Sequence, residues 1–281
     1  MLVSRSGIVC RTAAEIDRMR PASRLVAAIL GELSGMVQPG VTTADLDRVA
    51  EVRIAEAGAQ ALFKGYQGYP ATICVSVNEQ VIHGIPSSRR LVEGDIVSID
   101  VGARLNGYCG DAAVTVPVGK IPEETARLLD VTEAALHDAI RTVRPGARLG
   151  DIGHAVQRLV ESHGFSVVRE FVGHGIGESM HEEPQIPNFG DPGRGTRLEK
   201  GMTLAIEPMV NMGGAAVRVL RDGWTAVTRD GSLSAHFEHT IAVTDTGALV
   251  LTMPGGARHV DGGSKKPVVL ESRWRKSTLS R

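Results

Sequence analysis

The chain repeats itself at long range, and this limits its fold more than any other feature. Val37-Gln38-Pro39-Gly40-Val41 recurs as Val143-Arg144-Pro145-Gly146-Ala147, an offset of 106 residues. At that offset Asp45 meets Asp151, Leu46 meets Ile152 and Gly58 meets Gly164. Further along, Leu91 and Gly94-Asp95-Ile96-Val97-Ser98-Ile99-Asp100 are answered by Leu198 and Gly201-Met202-Thr203-Leu204-Ala205-Ile206-Glu207, at an offset of 107. Both copies read in one order: helix, Pro-Gly turn, helix, strands, then an acid ending an apolar strand. A period this long exceeds that of solenoid repeats. It predicts two half-domains about a pseudo-twofold axis, with equivalent acids approaching the axis from both sides.

Local patterns supply the elements. Thr12–Leu33 carries apolar residues at helical spacing, interrupted by Pro21. Thr42 or Thr43 can cap a helix running to Gly58, with Asp45 and Asp47 in its first turn. Pro122, Glu123 and Glu124 start another, which Pro145-Gly146 ends. Ala71–Val77 reads as a strand. Asp95–Ala103 and Tyr108–Val116 flank Asn106-Gly107, a strong hairpin signal. Met202–Val210, Ala215–Val219 and Ala235–Val243 read as later strands. Helices with antiparallel strands give the α+β class. One domain is expected over residues 1–253. Residues 254–281 hold seven Lys or Arg against two acids and are expected to form a flexible basic tail.

Composition removes several function classes. Lys and Arg number 31 against 32 Asp and Glu, so no bulk positive charge is offered to a nucleic acid. The apolar run Leu25–Leu30 falls far short of the roughly 20 residues of a membrane span. The first ten residues lack the apolar stretch of a signal peptide. Cys10, Cys74 and Cys109 are an odd, sparse set that suits a reducing cytoplasm better than a disulfide scaffold. GxxxxGK[ST], GxSxG, HExxH, CxxC and GxGxxG are all missing. Any chemistry must therefore come from residues dispersed along the chain.

The acids supply the strongest candidates. A two-residue Asn106-Gly107 turn pairs Leu105 with Tyr108, so paired residue numbers sum to 213. Asp100 then faces Ala113, and Asp111 lies two positions along on the same sheet face, with the Cβ atoms of the two acids roughly 7 Å apart. Two carboxylates converging there repel unless a proton or cation lies between them. Two solvent-facing aspartates are the alternative. Glu207 ends Leu204-Ala205-Ile206, Glu238 lies within an apolar strand, and His174 sits between glycines that permit close approach. Two Asp, two Glu and one His suit Mn²⁺, Fe²⁺, Co²⁺ or Zn²⁺. Two such ions roughly 3.5–4 Å apart activate a water for hydrolysis.

These residues stand in ordered motifs: Tyr66-Gln67-Gly68-Tyr69-Pro70, Asn78-Glu79 with His83-Gly84-Ile85-Pro86, Asp100-Val101-Gly102 with Gly110-Asp111, Gly173-His174-Gly175-Ile176-Gly177, His181-Glu182-Glu183-Pro184, Ile206-Glu207-Pro208 and Ser234-Ala235-His236-Phe237-Glu238-His239-Thr240. In these the chain resembles bacterial type I methionine aminopeptidases of peptidase family M24, across about Thr12–Met253. The resemblance implies the pita-bread fold. It implies two divalent ions (Co, Mn, Fe or Zn), with Asp100 on one, His174 and Glu207 on the other, and Asp111 and Glu238 bridging. A metal-bridging hydroxide would attack the first peptide carbonyl, with Glu207 shuttling a proton, His181 donating to the oxyanion and His83 contacting the neighbouring amide. Phe63, Tyr66, Tyr69, Cys74, Met180 and Trp224 would line the methionine pocket. Phe63 and Met180 depart from the residues usual there. Asn78 and Ser234 resemble a monovalent-cation site. The resemblance further implies a cytoplasmic monomer that acts on peptides and nascent chains with an amino-terminal Met, when the second residue is small. It involves no membrane and no specific nucleic acid. The basic tail would be a solvated linker or a ribosome-contacting arm. An X-prolyl peptidase, a metal-free binding protein of the same fold and a scaffold are the rival readings.

Overall fold

The computed structural model describes residues 2–4 and 7–263. Its described helices are α1 (Ala13–Met36), α2 (Thr43–Glu56), α3 (Glu123–Thr142) and α4 (Leu149–Ser162). Thr12 starts α1 through a reciprocal capping box: its hydroxyl accepts from the Glu15 N–H while the Glu15 carboxylate accepts from the Thr12 N–H. The helix runs through Pro21, although a proline there removes one hydrogen bond. Met19, Ala22, Val26, Ile29 and Leu33 on its inner face are all buried, and this tertiary packing outweighs the local cost.

The repeat is visible in the backbone. α2 and α4 have equal length and lie 106 residues apart. In the first copy the Gly40 N–H donates to Leu91 O (2.8 Å) and the Leu91 N–H to Val41 O (2.9 Å). In the second, Gly146 donates to Leu198 O (2.9 Å) and Leu198 to Ala147 O (2.7 Å). Gly40 and Gly146 have φ of 95° and 89°, the left-handed region that favours glycine. Each half buries its own apolar cluster, one under α1 and α2 and one under α3 and α4, and Val114 packs against both.

The hairpin adopts the expected register. Ile96–Leu105 and Tyr108–Pro117 pair with Leu105 opposite Tyr108, Asp100 opposite Ala113 and Gly102 opposite Asp111. Asn106 and Gly107 both take positive φ, 53° and 83°, as a type I′ turn requires.

The second half departs from expectation. The single strands expected over Met202–Val210 and Ala235–Val243 are each broken in two. Thr203–Ile206 pairs with His239–Val243 in a six-stranded sheet, whereas Met209–Asn211 pairs with Ser234–His236 in a separate three-stranded sheet. Pro208 has no N–H to give a ladder, so the first strand ends beside it. Glu207 and Glu238 therefore occupy the corners where the chain passes between sheets. The stretch expected as a flexible tail from Pro254 contains a strand. Arg258–Asp261 adds a strand to Gly247–Val250, because main-chain pairing at a sheet edge depends little on side-chain composition. The remainder, residues 264–281, lies outside the described residues.

Two buried threonines lock the halves together. Thr240 Oγ1 donates to Asp111 O (2.7 Å) and accepts from the Asp111 N–H (3.1 Å). Thr115 Oγ1 does the same to His236, at 2.8 Å both ways. Between them the Glu238 N–H donates to Ala113 O (2.9 Å). Replacing either hydroxyl with a methyl strands one N–H and one C=O in the interior. Thr240→Val and Thr115→Val should each lower unfolding free energy by about 1–3 kcal/mol, measured by urea denaturation. A loss within error of zero for both would show that the clips are dispensable.

Candidate metal centre

Four acids converge on one buried space. Asp100 and Asp111 come from the hairpin, and Glu207 and Glu238 from the two sheet-crossing corners. Burial, and then the neighbouring carboxylates, push Asp111, Glu207 and Glu238 well above the usual carboxylate range. Burial pushes Asp100 up to about 7. Asp100 and Asp111 lie close enough to share a side-chain hydrogen bond.

His174 joins them from the Gly173–Gly175 strand. Its Nδ1 lies 2.9 Å from Gly175 O. A carbonyl only accepts, so Nδ1 carries the proton and Nε2 presents a lone pair. That Nε2 is 3.6 Å from Glu207 Oε1. Burial, reinforced by His181, lowers the His174 pKa to about 4 and keeps the ring neutral. The flanking glycines serve the strands rather than a ligand: a Cβ at Gly173 would meet Ala205 O at 2.4 Å and one at Gly175 would meet Glu183 O at 2.2 Å.

The residues fit a divalent cation. Ligand atoms of Asp111, His174 and Glu238 lie within 4.8 Å of one another. Asp100 Oδ1, Asp111 Oδ1 and Glu238 Oε1 are buried without a hydrogen-bond partner among the described residues. Orphaned carboxylate oxygens facing a neutral imidazole form a hard donor set of this kind.

Beside the acids lies a cavity of about 270 Å³. All six residues expected in the apolar pocket line it, together with Gln67, His83 and His181. Tyr69 and Trp224 meet edge to face at 5.1 Å. The Tyr69 hydroxyl reaches Ile73 O and Gly84 O (3.1 and 3.0 Å), leaving its ring as wall. A second cleft of about 510 Å³ shares His83, His181 and Glu207 and adds His174 and Phe171. His83 has φ of 58°, uncommon for a non-glycine residue, and its ring stands edge-on to Phe171 (5.7 Å) and Trp224 (6.4 Å). His181 packs edge to face against His174 at 4.5 Å. Asn78 and Ser234 meet away from the acids, the Ser234 N–H donating to Asn78 O (2.9 Å).

Sequence reasoning missed three residues. His236 Nε2 lies 3.7 Å from Glu207 Oε2 and has no hydrogen-bond partner among the described residues. Its position two residues before Glu238 was the available signal. Gln67 stands inside a quoted motif, and Phe171 carries no local signal at all.

Residues 17–245 match metallopeptidase family M24. Methionine aminopeptidase 1 of Bacillus subtilis (strain 168) is 54% identical over 245 residues, covering 87% of this chain and 99% of its own length. The methionine aminopeptidase of Escherichia coli (strain K12) is 46% identical over 248 residues, covering 88% and 94%. Among solved structures, the crystal structure of methionine aminopeptidase from Thermotoga maritima superposes with a TM-score of 0.86 at 50% identity, covering 88% of this chain and 100% of that one. Prolidase from Pyrococcus furiosus, at 21% identity and a TM-score of 0.70 over 88% of this chain and 66% of that one, shares the pita-bread fold alone.

The raised carboxyl groups predict a pH dependence. In metal-free protein their folded pKa values exceed the unfolded value of about 4. Their contribution is intact below that value and is lost as pH rises through the folded values, near 7 for Asp100. The melting temperature of metal-free protein should fall between about pH 4 and 7, and Mn²⁺ should remove most of that fall. Parallel curves with and without Mn²⁺ would contradict the shared-carboxylate reading.

Proposed function

The chain belongs to metallopeptidase family M24, and from that premise we propose that it removes the amino-terminal methionine from peptides and nascent proteins. One observation carries the reading: a cavity of about 270 Å³, walled on one side by aromatic and sulfur-bearing side chains, opens directly onto the carboxylate cluster. Aromatic rings, a thiol and the Met180 thioether suit an unbranched thioether side chain. With that side chain seated, the first peptide bond lies over the acids.

Asp100, Asp111, Glu207, Glu238 and His174 would hold two divalent ions, which supply Lewis acidity toward the carbonyl and lower the pKa of water. Glu207 accepts the proton of the attacking water and returns it to the leaving amine. His181 donates to the carbonyl oxygen as it gains charge, and His83 contacts the neighbouring amide. His83, Phe171 and His181 line the cleft beside the acids, and crowding at the loaded metal centre would favour a small second residue. The same reading has the protein act in the cytoplasm as a monomer, on chains leaving the ribosome. It takes Co, Mn, Fe or Zn, with a monovalent cation near Asn78 and Ser234.

The substrate test is direct. Met-Gly peptides should be cleaved far faster than Lys-Gly or X-Pro peptides, and norleucine should be tolerated, since one changed methylene-sized group alters selectivity by only about 1–3 kcal/mol. Chelation should abolish turnover, and Mn²⁺, Fe²⁺ or Co²⁺ should restore it. Equal rates on Met-Gly and Lys-Gly would refute the pocket assignment.

Two histidines only seven residues apart separate catalysis from metal binding. His181→Ala should keep both ions and lose on the order of 10²–10³ in kcat with little change in KM. His174→Ala should lose metal affinity. Measured metal content and steady-state kinetics decide the matter: metal loss in His181→Ala with retention in His174→Ala would invert the assignment.

A further inference from the structure

We propose that Tyr66 and Gln67 form a directed hydrogen-bond relay that fixes His181 in its Nε2–H tautomer. The inference rests on the reading of His181 as donor to the carbonyl oxygen and deepens it. Such a donor works only if the proton sits on the nitrogen facing the substrate. A neutral imidazole has one N–H and one lone pair, so something must choose between them.

The choice is legible in the donor inventory. The Tyr66 hydroxyl lies 2.9 Å from His181 Nδ1. Their rings meet edge to face at 5.3 Å. Gln67 Nε2 donates to the same hydroxyl oxygen at 3.3 Å. An amide NH₂ can only donate, so the phenol oxygen accepts from Gln67; in the proposed relay its single proton is then directed at Nδ1, the polar side-chain atom 2.9 Å away. Nδ1 then accepts, and the ring proton resides on Nε2. Direction runs one way along the chain, from Gln67 through Tyr66 to His181.

The backbone supports this aim. Gln67 is held at φ 47° and ψ 25°, a left-handed conformation uncommon outside glycine. A tight turn keeps it there: the Tyr66 N–H donates to Phe63 O (2.9 Å), Gly68 to Gly65 O (3.2 Å) and Tyr69 to Tyr66 O (2.9 Å). Strain of this kind persists where surrounding bonds fix it, and it gathers at functional sites. Tyr66 is 37% exposed, so burial alone does not account for its place on the pocket wall. Both residues act through His181 and are positioning residues.

The test reads the tautomer directly. Zinc-loaded holoenzyme labelled with ¹⁵N-histidine is examined by NMR, with His181→Ala assigning the signal. In the wild type, Nε2 should be protonated and Nδ1 bare. Tyr66→Phe keeps the ring but removes the donor. It should give mixed tautomers and lower kcat about three- to tenfold, the worth of one hydrogen bond, at unchanged KM. Gln67→Glu replaces a donor with a group that only accepts. It should draw the phenol proton away, move the imidazole proton to Nδ1 and lower kcat on the order of 10²-fold. Zinc content and circular dichroism confirm that the variants are folded and loaded. A wild-type Nδ1–H tautomer, or a tautomer unmoved by Gln67→Glu, overturns the relay. If the tautomer moves as expected while His181→Ala keeps full kcat, the relay stands and the oxyanion role falls.

Discussion

Mutual repulsion among four converging carboxyl groups, Asp111 and Glu238 buried and Asp100 and Glu207 nearly so, is the constraint on which the rest of this structure depends. Any one of them, ionised and unpaired, would cost several kcal/mol. Burial, and after it the neighbouring carboxylates, raise the proton affinity of Asp111, Glu207 and Glu238. The fold holds them together through rigid devices. Ten residue pairs of hairpin fix Asp100 and Asp111. The Thr240 and Thr115 clips fix the contact between halves. Two sheet-crossing corners fix Glu207 and Glu238. A scaffold this rigid leaves the acids unable to separate, so a cation is the economical partner for their charge.

The duplication explains both the symmetry and the asymmetry of the site. Asp100 and Glu207 are counterparts at an offset of 107. The reciprocal clips relate Asp111 to His236, and Thr115 to Thr240, at an offset of 125. The first half thus offers a pair of acids where the second offers an acid and an imidazole. Glu238 stands opposite Ala113 and restores a fourth carboxylate. The apolar-walled cavity lies to one side of this axis, built largely from residues 63–83 of the first half and closed by Met180, His181 and Trp224.

An ion pair ties the loop that closes the pocket to the start of the chain. Arg11 is buried and meets both carboxylate oxygens of Glu182 at 2.7 Å, while its Nη1 donates to Thr203 Oγ1. The Glu182 carboxylate also accepts from the Ser179 N–H (3.1 Å). Met180 and His181 sit between those anchors. In the same loop, a Cβ at Gly177 would overlap the Arg11 guanidinium as placed.

Much of this was legible in the sequence because the signals were local or repeated. Asn106-Gly107 fixed one register, and register fixed which acids shared a face. The family motifs picked out residues that the fold brings together around one cavity and the acids beside it. What escaped was decided by tertiary contact. Leu204-Ala205-Ile206 and Met209-Val210 are uniformly apolar, so no alternation revealed that the chain changes sheets between them. His236 and Gln67 matter through neighbours distant in sequence or through a backbone strain that composition does not express. The most direct test of the central claim is anomalous diffraction from crystals of active protein grown with Mn²⁺. The account predicts two manganese peaks among Asp100, Asp111, Glu207 and Glu238, one of them against His174 Nε2. Active protein with no manganese between those carboxylates would contradict it.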